Sequence, residues 1–311
     1  MECKVLDTEK LNIVLTIARF LLAQLHLESL VGKRSVKAIR TALGMLSSGS
    51  RAYDHAYEEA VKRIKSQNSD SSELAQQVIV WITCAKRRLT TLELLHALGV
   101  EPGERKFDPD NIPQIENILS VCEGLVAVDE KSDVIRLCHY TMQEYFERVL
   151  ERTESKTLAF EEKVLAETCL TYLMFDVFGA GPCASDSEMN KRVESWPFLQ
   201  YAATNWGYHA QRYHRDPDTS QKIILPLLKS KGNLSSAVQA MRLSIHQDEG
   251  FSQQYPKGPH ALWLASHFDL EGICKILLHS GVDIDAVLFE GSSRRTAIHE
   301  TAKMGCHGTM K

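Results

Sequence analysis

The sequence predicts a mostly α-helical chain: three helices and a β-hairpin, then a helical layer, then a short tandem repeat. Three observations carry this expectation. Apolar residues recur at three- and four-residue spacing over most of the 311 residues. Two short β-rich runs, "LVAVD" and "VIRLCH", flank the turn "EKSD". Near the C-terminus His260-Ala261-Leu262-Trp263 aligns with Thr296-Ala297-Ile298-His299 at an offset of 36 residues, the mark of an internal repeat.

Composition narrows the function classes. The chain is 44% apolar and 24% charged, which suits a globular core and excludes disorder. Net charge is −4 and the pI about 6.3, so no general electrostatic pull toward nucleic acid or anionic membrane exists. The eight cysteines form no CxxC pair and are widely spaced. That pattern predicts reduced intracellular thiols used as small core residues rather than zinc ligands or nucleophiles. The most apolar stretch, Leu11 to Leu27, is interrupted by Arg19, Gln24 and His26 and reads as a buried helix, not a membrane span. Glu2, Asp7 and Glu9 precede it and no cleavage site follows, so no signal peptide is expected and the predicted location is cytoplasmic.

Taken in order, residues 11–29 and 51–66 are expected as helices. In the second, Tyr53, Tyr57, Ala60, Val61 and Ile64 make one stripe. Ser66 to Ser72 is a polar break. The next helix is expected from Glu73 to about Lys86, with Leu74, Val78, Ile82 and Ala85 on one face. Thr90 and Glu93 have capping-box spacing and open another helix, which Gly99 stops. Glu101–Asp110 is loop. Asn111 with Gln114, and Pro113 between them, predict the start of a third helix whose stripe is Ile115, Ile118, Leu119 and Cys122; Gly124 closes it. Three helices followed by a hairpin is the plan of a winged helix.

The second strand runs into "HYTMQEYF". Thr141 and Glu144 have the spacing of a second capping box, and Tyr140 with Tyr145 that of a hydrophobic staple. His139 is then the last strand residue before a helix N-terminus, where unpaired N–H groups and the positive dipole end suit a neutral ring or an anion such as a phosphate. The plainer role is a capping or core histidine. Beyond residue 155 the segments 160–178, 187–211 and 220–244 read as helices, separated by "GAGPCASD" and "RDPDTS". The expected organisation is 1–66, 67–152, 153–250 and 255–311.

Other candidates weaken on inspection. "VGKRS", Val31 to Ser35, resembles the end of a phosphate loop, but the required earlier glycine is Leu27 and no glycine precedes Gly32. A DNA-reading winged helix needs Lys and Arg. From Phe107 to Glu130 there are none, against six carboxylates: Asp108, Asp110, Glu116, Glu123, Asp129 and Glu130. His209 and His214 are five apart, the wrong spacing for a metal pair on one helix face, and His260, His267, His279 and His299 suit repeat positions better than ligands. Trp196, Tyr201, Trp206 and Tyr208 read as core aromatics. No catalytic residue, metal or cofactor is expected.

"TAIHETA" and "ILLHSGVDIDA" resemble the ankyrin repeat, although Trp263 stands where that family has His and the first repeat carries a short insertion in "VLFEGSSR". About one and a half repeats are present. Residues 16–215 resemble fungal NACHT–ankyrin proteins of the NOD-like signalling NTPase class, on "FLLAQLHLESLVGKRSVKAIRTAL", "YDHAYEEAVKRI", "WITCAKRRLTTLELLHAL", "IPQIENILSVCEGLVAVDE", "RLCHYTMQEYF" and "PFLQYAATNWGYHA". Residues 1–15 do not share the likeness. It implies that 1–66 are the closing helices of an NTPase module. It also implies that 67–152 are the winged helix named after GPI inositol-deacylase, followed by a helical layer and ankyrin repeats. In related receptors a winged-helix histidine at a strand-to-helix joint contacts the β-phosphate of ADP; His139 matches that position, and the resemblance implies it as a nucleotide-phosphate sensor only where an NTPase core is present. The expected function is non-catalytic: a protein-interaction and regulatory fragment without a P-loop, binding protein partners through the ankyrin and helical region, with no nucleic acid and no membrane. The alternatives are part of a full NTP-dependent switch whose NTPase core lies upstream, or a degenerate fragment.

Overall fold

The computed structural model describes residues 35–37, 40, 50–152, 154–211, 221–243, 248–258, 260–290, 293–306 and 308–309. The expected helix at 11–29, Val31–Arg34 of the "VGKRS" turn, Cys3 and His214 lie outside the described residues. The helices are α1 (Ser50–Ser66), α2 (Ser69–Cys84), α3 (Thr91–Leu98), α4 (Ile115–Val121), α5 (Tyr140–Arg152), α6 (Glu154–Leu173), α7 (Asp186–Ser195), α8 (Leu199–Ala210), α9 (Leu225–Lys229), α10 (Lys231–Met241), α11 (Ala261–His267), α12 (Glu271–His279) and α13 (Ala297–Met304). Strands β1 (Val126–Asp129) and β2 (Val134–Leu137) pair antiparallel, as do β3 (Leu288–Glu290) and β4 (Ser293–Arg295). The chain is mostly helical, with a two-stranded hairpin after the first helices, as in a winged helix followed by a helical region.

The chain folds as two compact units. Of the described residues, one unit takes those up to Thr83 together with Ile115–Glu154, and the other takes Cys84–Gln114 and those from Ser155 onward. In the first unit the core is Tyr57, Ala60, Ile64, Ala75, Val78, Ile118, Leu125, Ile135 and Met142. The hairpin register sets Val126 opposite Leu137 and Val128 opposite Ile135. Ile135 and Leu137 are buried while Arg136 between them is exposed, so strand alternation seats β2 on the helices. Asp133, φ 49°, turns the hairpin, and Gly124, φ 75°, releases the chain from α4.

Several local expectations shift. The break before α2 shrinks to Gln67 and Asn68, because the Asn68 side chain accepts the Ser71 N–H at 2.9 Å and starts the helix early. Its buried residues are Ser72, Ala75, Val78, Ile79 and Trp81, so the face is rotated by one position from the expected stripe. Asn111 does not open α4: it ends a 3-10 turn capped by Asp108, and the helix starts at Ile115. Leu119 is 36% exposed, leaving Ile118 and Cys122 to carry the contact.

In the second unit the Thr90–Glu93 box forms as expected, with both reciprocal bonds present. Gly99 caps α3 in a right-handed conformation, so positive φ is not why glycine stands there. A Cβ at that position would lie 3.2 Å from the Phe107 ring. Phe107, Tyr172, Phe175, Phe178 and Trp196 form one aromatic cluster with centroids 5.2–6.2 Å apart. Buried amides fasten the loops to it. Asn233 Nδ2 donates to Leu173 O and Phe175 O, both at 2.9 Å. Gln239 Nε2 donates to Cys183 O and Ser252 O while its Oε1 accepts the Cys183 N–H. At the C-terminal end α11 packs against both α12 and α13. Trp206 and Tyr208 of α8 hold the Phe268 ring at 4.9 and 5.1 Å, and Gly207 between them lets it approach.

Candidate functional site

The strand-to-helix corner belongs to the first unit. His139 directly precedes α5 and is 6% exposed. Its Nδ1 accepts the Thr141 N–H at 3.2 Å and lies 2.8 Å from Thr141 Oγ1. The imidazole therefore occupies the N-cap position and does the job expected of Thr141, and the Thr141–Glu144 box gives way to it. Thr141 Oγ1 is instead 2.5 Å from the Tyr57 hydroxyl of α1. The staple is also rearranged: Tyr140 is 49% exposed and rests on the His139 ring, while Tyr145 packs on Tyr57 and Phe146. Because Nδ1 accepts an N–H, the ring's proton sits on Nε2 in this tautomer.

In the second unit a group the sequence reading missed surrounds His209. Lys86 Nζ donates to Glu162 Oε1 at 2.7 Å. His209 Nδ1 bonds Glu162 Oε2. His209 Nε2 and the Tyr201 hydroxyl are 2.9 Å apart, and the same hydroxyl accepts the Lys86 N–H at 3.0 Å. One assignment satisfies all four bonds: His209 donates from Nδ1 and accepts the Tyr201 O–H at Nε2. Burial dominates the His209 pKa and lowers it despite the adjacent carboxylate. Burial also works to raise Glu162, but the bonds from His209 and Lys86 outweigh it and hold the carboxyl below its ordinary value. With the imidazole neutral, the countercharge to Glu162 is Lys86. His209 is fully buried and Glu162 is 4% exposed, so the ring of bonds ties α6, α8 and the segment before α3 rather than presenting a reacting atom. One signal was readable beforehand. Glu162, Leu165, Ala166 and Cys169 fall at i, i+3, i+4 and i+7, which puts an acid on a buried stripe where it needs partners.

The candidate histidines of the C-terminal segment have structural partners, His279 Nδ1 among them at 2.6 Å from Lys275 O. His260 Nε2 donates to Pro256 O at 2.8 Å, His267 Nδ1 meets Glu300 Oε1 at 2.8 Å, and His299 Nδ1 lies 2.8 Å from Thr296 Oγ1. Thr296 and His299 complete a capping box at the start of α13. Among the described residues no three His, Cys, Asp or Glu side chains cluster as a metal site. Burial pushes the Cys122 thiol up to about 12 and Cys274 up to about 11, and Cys169 well above its usual value. Such thiols stay protonated and poor nucleophiles at neutral pH. Among the described residues no helix is long and apolar enough to cross a membrane.

Residues 63–161, from the last turn of α1 into α6, carry the helices, hairpin and following helix of a winged helix domain. They match the family described as GPI inositol-deacylase, winged helix domain. No curated protein and no solved structure matches the chain.

Proposed function

We propose that this chain is a non-catalytic interaction and regulatory part of a NACHT–ankyrin, NOD-like signalling protein, in which the winged helix connects a switch module to partner-binding repeats. The observation that carries the reading is the pairing of the winged-helix match with the build of the C-terminal segment. There α11, a tight turn, α12, the β3–β4 hairpin and a Thr296–His299-capped α13 follow one another, the order of an ankyrin repeat and the start of the next. Leu278, Ile284, Phe289, Ile298 and Met304 are 37–63% exposed along this segment, apolar surface that a further repeat or a partner would cover. The acidic run from Phe107 to Glu130 speaks against a duplex as that partner.

Fusing two consensus ankyrin repeats after Lys311 tests the reading. The expected result is a higher Tm for the C-terminal segment and weaker binding of a hydrophobic dye. An unchanged Tm with undiminished dye binding refutes the repeat assignment. A second reading, in which the chain is the sensing part of an NTP-driven switch, draws on His139 at its helix N-terminus. A messenger running upstream into a glycine-rich phosphate loop would support that one.

A further inference from the structure

We propose that an open groove in the second unit binds an acidic segment of a partner protein, one carrying several carboxylates with aliphatic residues between them. The inference rests on the interaction-module reading above and gives the partner a chemistry. The groove holds about 630 Å³. Its charged lining consists of Lys229, Lys231, Lys257 and Asp283, an excess of two positive charges on a chain whose net charge is −4. All three lysines are exposed, and none forms an ion pair among the described residues. Asp283 is already engaged, accepting the Asp285 N–H at 3.0 Å.

The lysines are placed by the fold. Lys229 ends α9 and Lys231 begins α10, so the two ammonium groups flank one break in the helical region. Lys257 lines the same groove from a different part of the chain. Its backbone exchanges two hydrogen bonds with Phe289, at 2.7 and 2.8 Å, and so adds a one-residue rung to the β3–β4 hairpin. Its ammonium sits 3.1 Å from the centre of the Tyr255 ring, an attraction that orients the charge without neutralising it. The lining is otherwise largely apolar, and its Leu228, Leu234, Leu262 and Leu288 are buried side chains. Cations lining an aliphatic groove match a ligand with carboxylates and interspersed apolar side chains.

The test is fluorescence anisotropy with the full chain and a labelled peptide of about ten residues, glutamate-rich with interspersed leucines, against the same peptide with lysine for glutamate. The acidic peptide is expected to bind about tenfold or more tightly than the basic one, with affinity falling as salt rises. Replacing Lys229→Glu, Lys231→Glu and Lys257→Glu together is expected to weaken it about tenfold. The single change Lys257→Met, which keeps the stem, is expected to weaken it less and serves if the triple variant does not fold. Equal binding of both peptides, or unchanged affinity in both variants, overturns the proposal. If the acidic peptide fails while fused repeats raise Tm, only the groove assignment falls. If the peptide binds and fused repeats do nothing, the partner chemistry stands and the repeat assignment falls.

Discussion

Replacing His209→Phe probes the ring of bonds around Glu162 with a planar ring that can neither donate nor accept a hydrogen bond. The substitution removes two bonds at once, to Glu162 Oε2 and to the Tyr201 hydroxyl. Tyr201 keeps the Lys86 N–H and Glu162 Oε1 keeps Lys86 Nζ. The buried Tyr201 O–H loses its acceptor at Nε2, and one oxygen of an ionised carboxylate that is 4% exposed loses its donor. An unsatisfied buried acceptor of that kind costs about 3 kcal/mol, equivalent to a Tm lower by about 6–12 °C for a unit of this size. Urea melts followed by circular dichroism give the first number and thermal melts the second. A loss under about 0.5 kcal/mol would show that water replaces the imidazole and would refute the clamp.

The pH profile adds an independent readout. Burial lowers the pKa of His209, as it does for His96 and His260. Below about 6.5 the unfolded chain takes up protons that the folded chain refuses, so stability present above that value is lost as pH falls. Each such histidine contributes a slope of up to about 1.4 kcal/mol per pH unit. His209→Phe removes one of the three and should flatten the acid limb accordingly. An unaltered limb would mean that folding leaves the His209 pKa where it is in the unfolded chain, and a steeper one that His209 is protonated in the fold.

Two further substitutions test separate features. Gly207→Ala places a Cβ 2.0 Å from the Phe268 ring, so α8 and the α11–α12 turn must separate; a cost of about 3 kcal/mol is expected, read as a lower urea midpoint. Thr90→Ala breaks the capping box of α3 and should cost about 1 kcal/mol, and a neutral result would mean that Glu93, held also by Arg87, carries the helix start alone.

The sequence was most readable where one local signal had no competitor. The Thr90–Glu93 box, the "EKSD" turn and the α1 span appear where spacing put them, because capping and periodicity act within one turn of chain. Reading failed where two signals overlapped. Thr141 has cap spacing, yet His139 two residues earlier takes the cap, since its ring nitrogen can accept the same backbone N–H and free Thr141 for Tyr57. Asn111 has cap spacing too, yet Asp108 captures it in a 3-10 turn. The Glu162 clamp lay furthest out of reach. Its members are 47, 76 and 115 residues apart, and no periodicity reports on pairings at that distance.

The seating of Phe268 against Trp206, Gly207 and Tyr208 gives the C-terminal segment a polarity. The Phe268 turn that closes α11 is already seated on α8, as a primer seats the first unit of a growing polymer. The exposed apolar side chains from Leu278 to Met304 all come later in sequence, on elements that add to that primed end. Under the repeat reading, stacking is vectorial: each added unit finds a finished surface behind it and leaves an unfinished one ahead. The helical region then does more than join two parts. It sets the starting plane, and with it the direction in which any array on this chain extends.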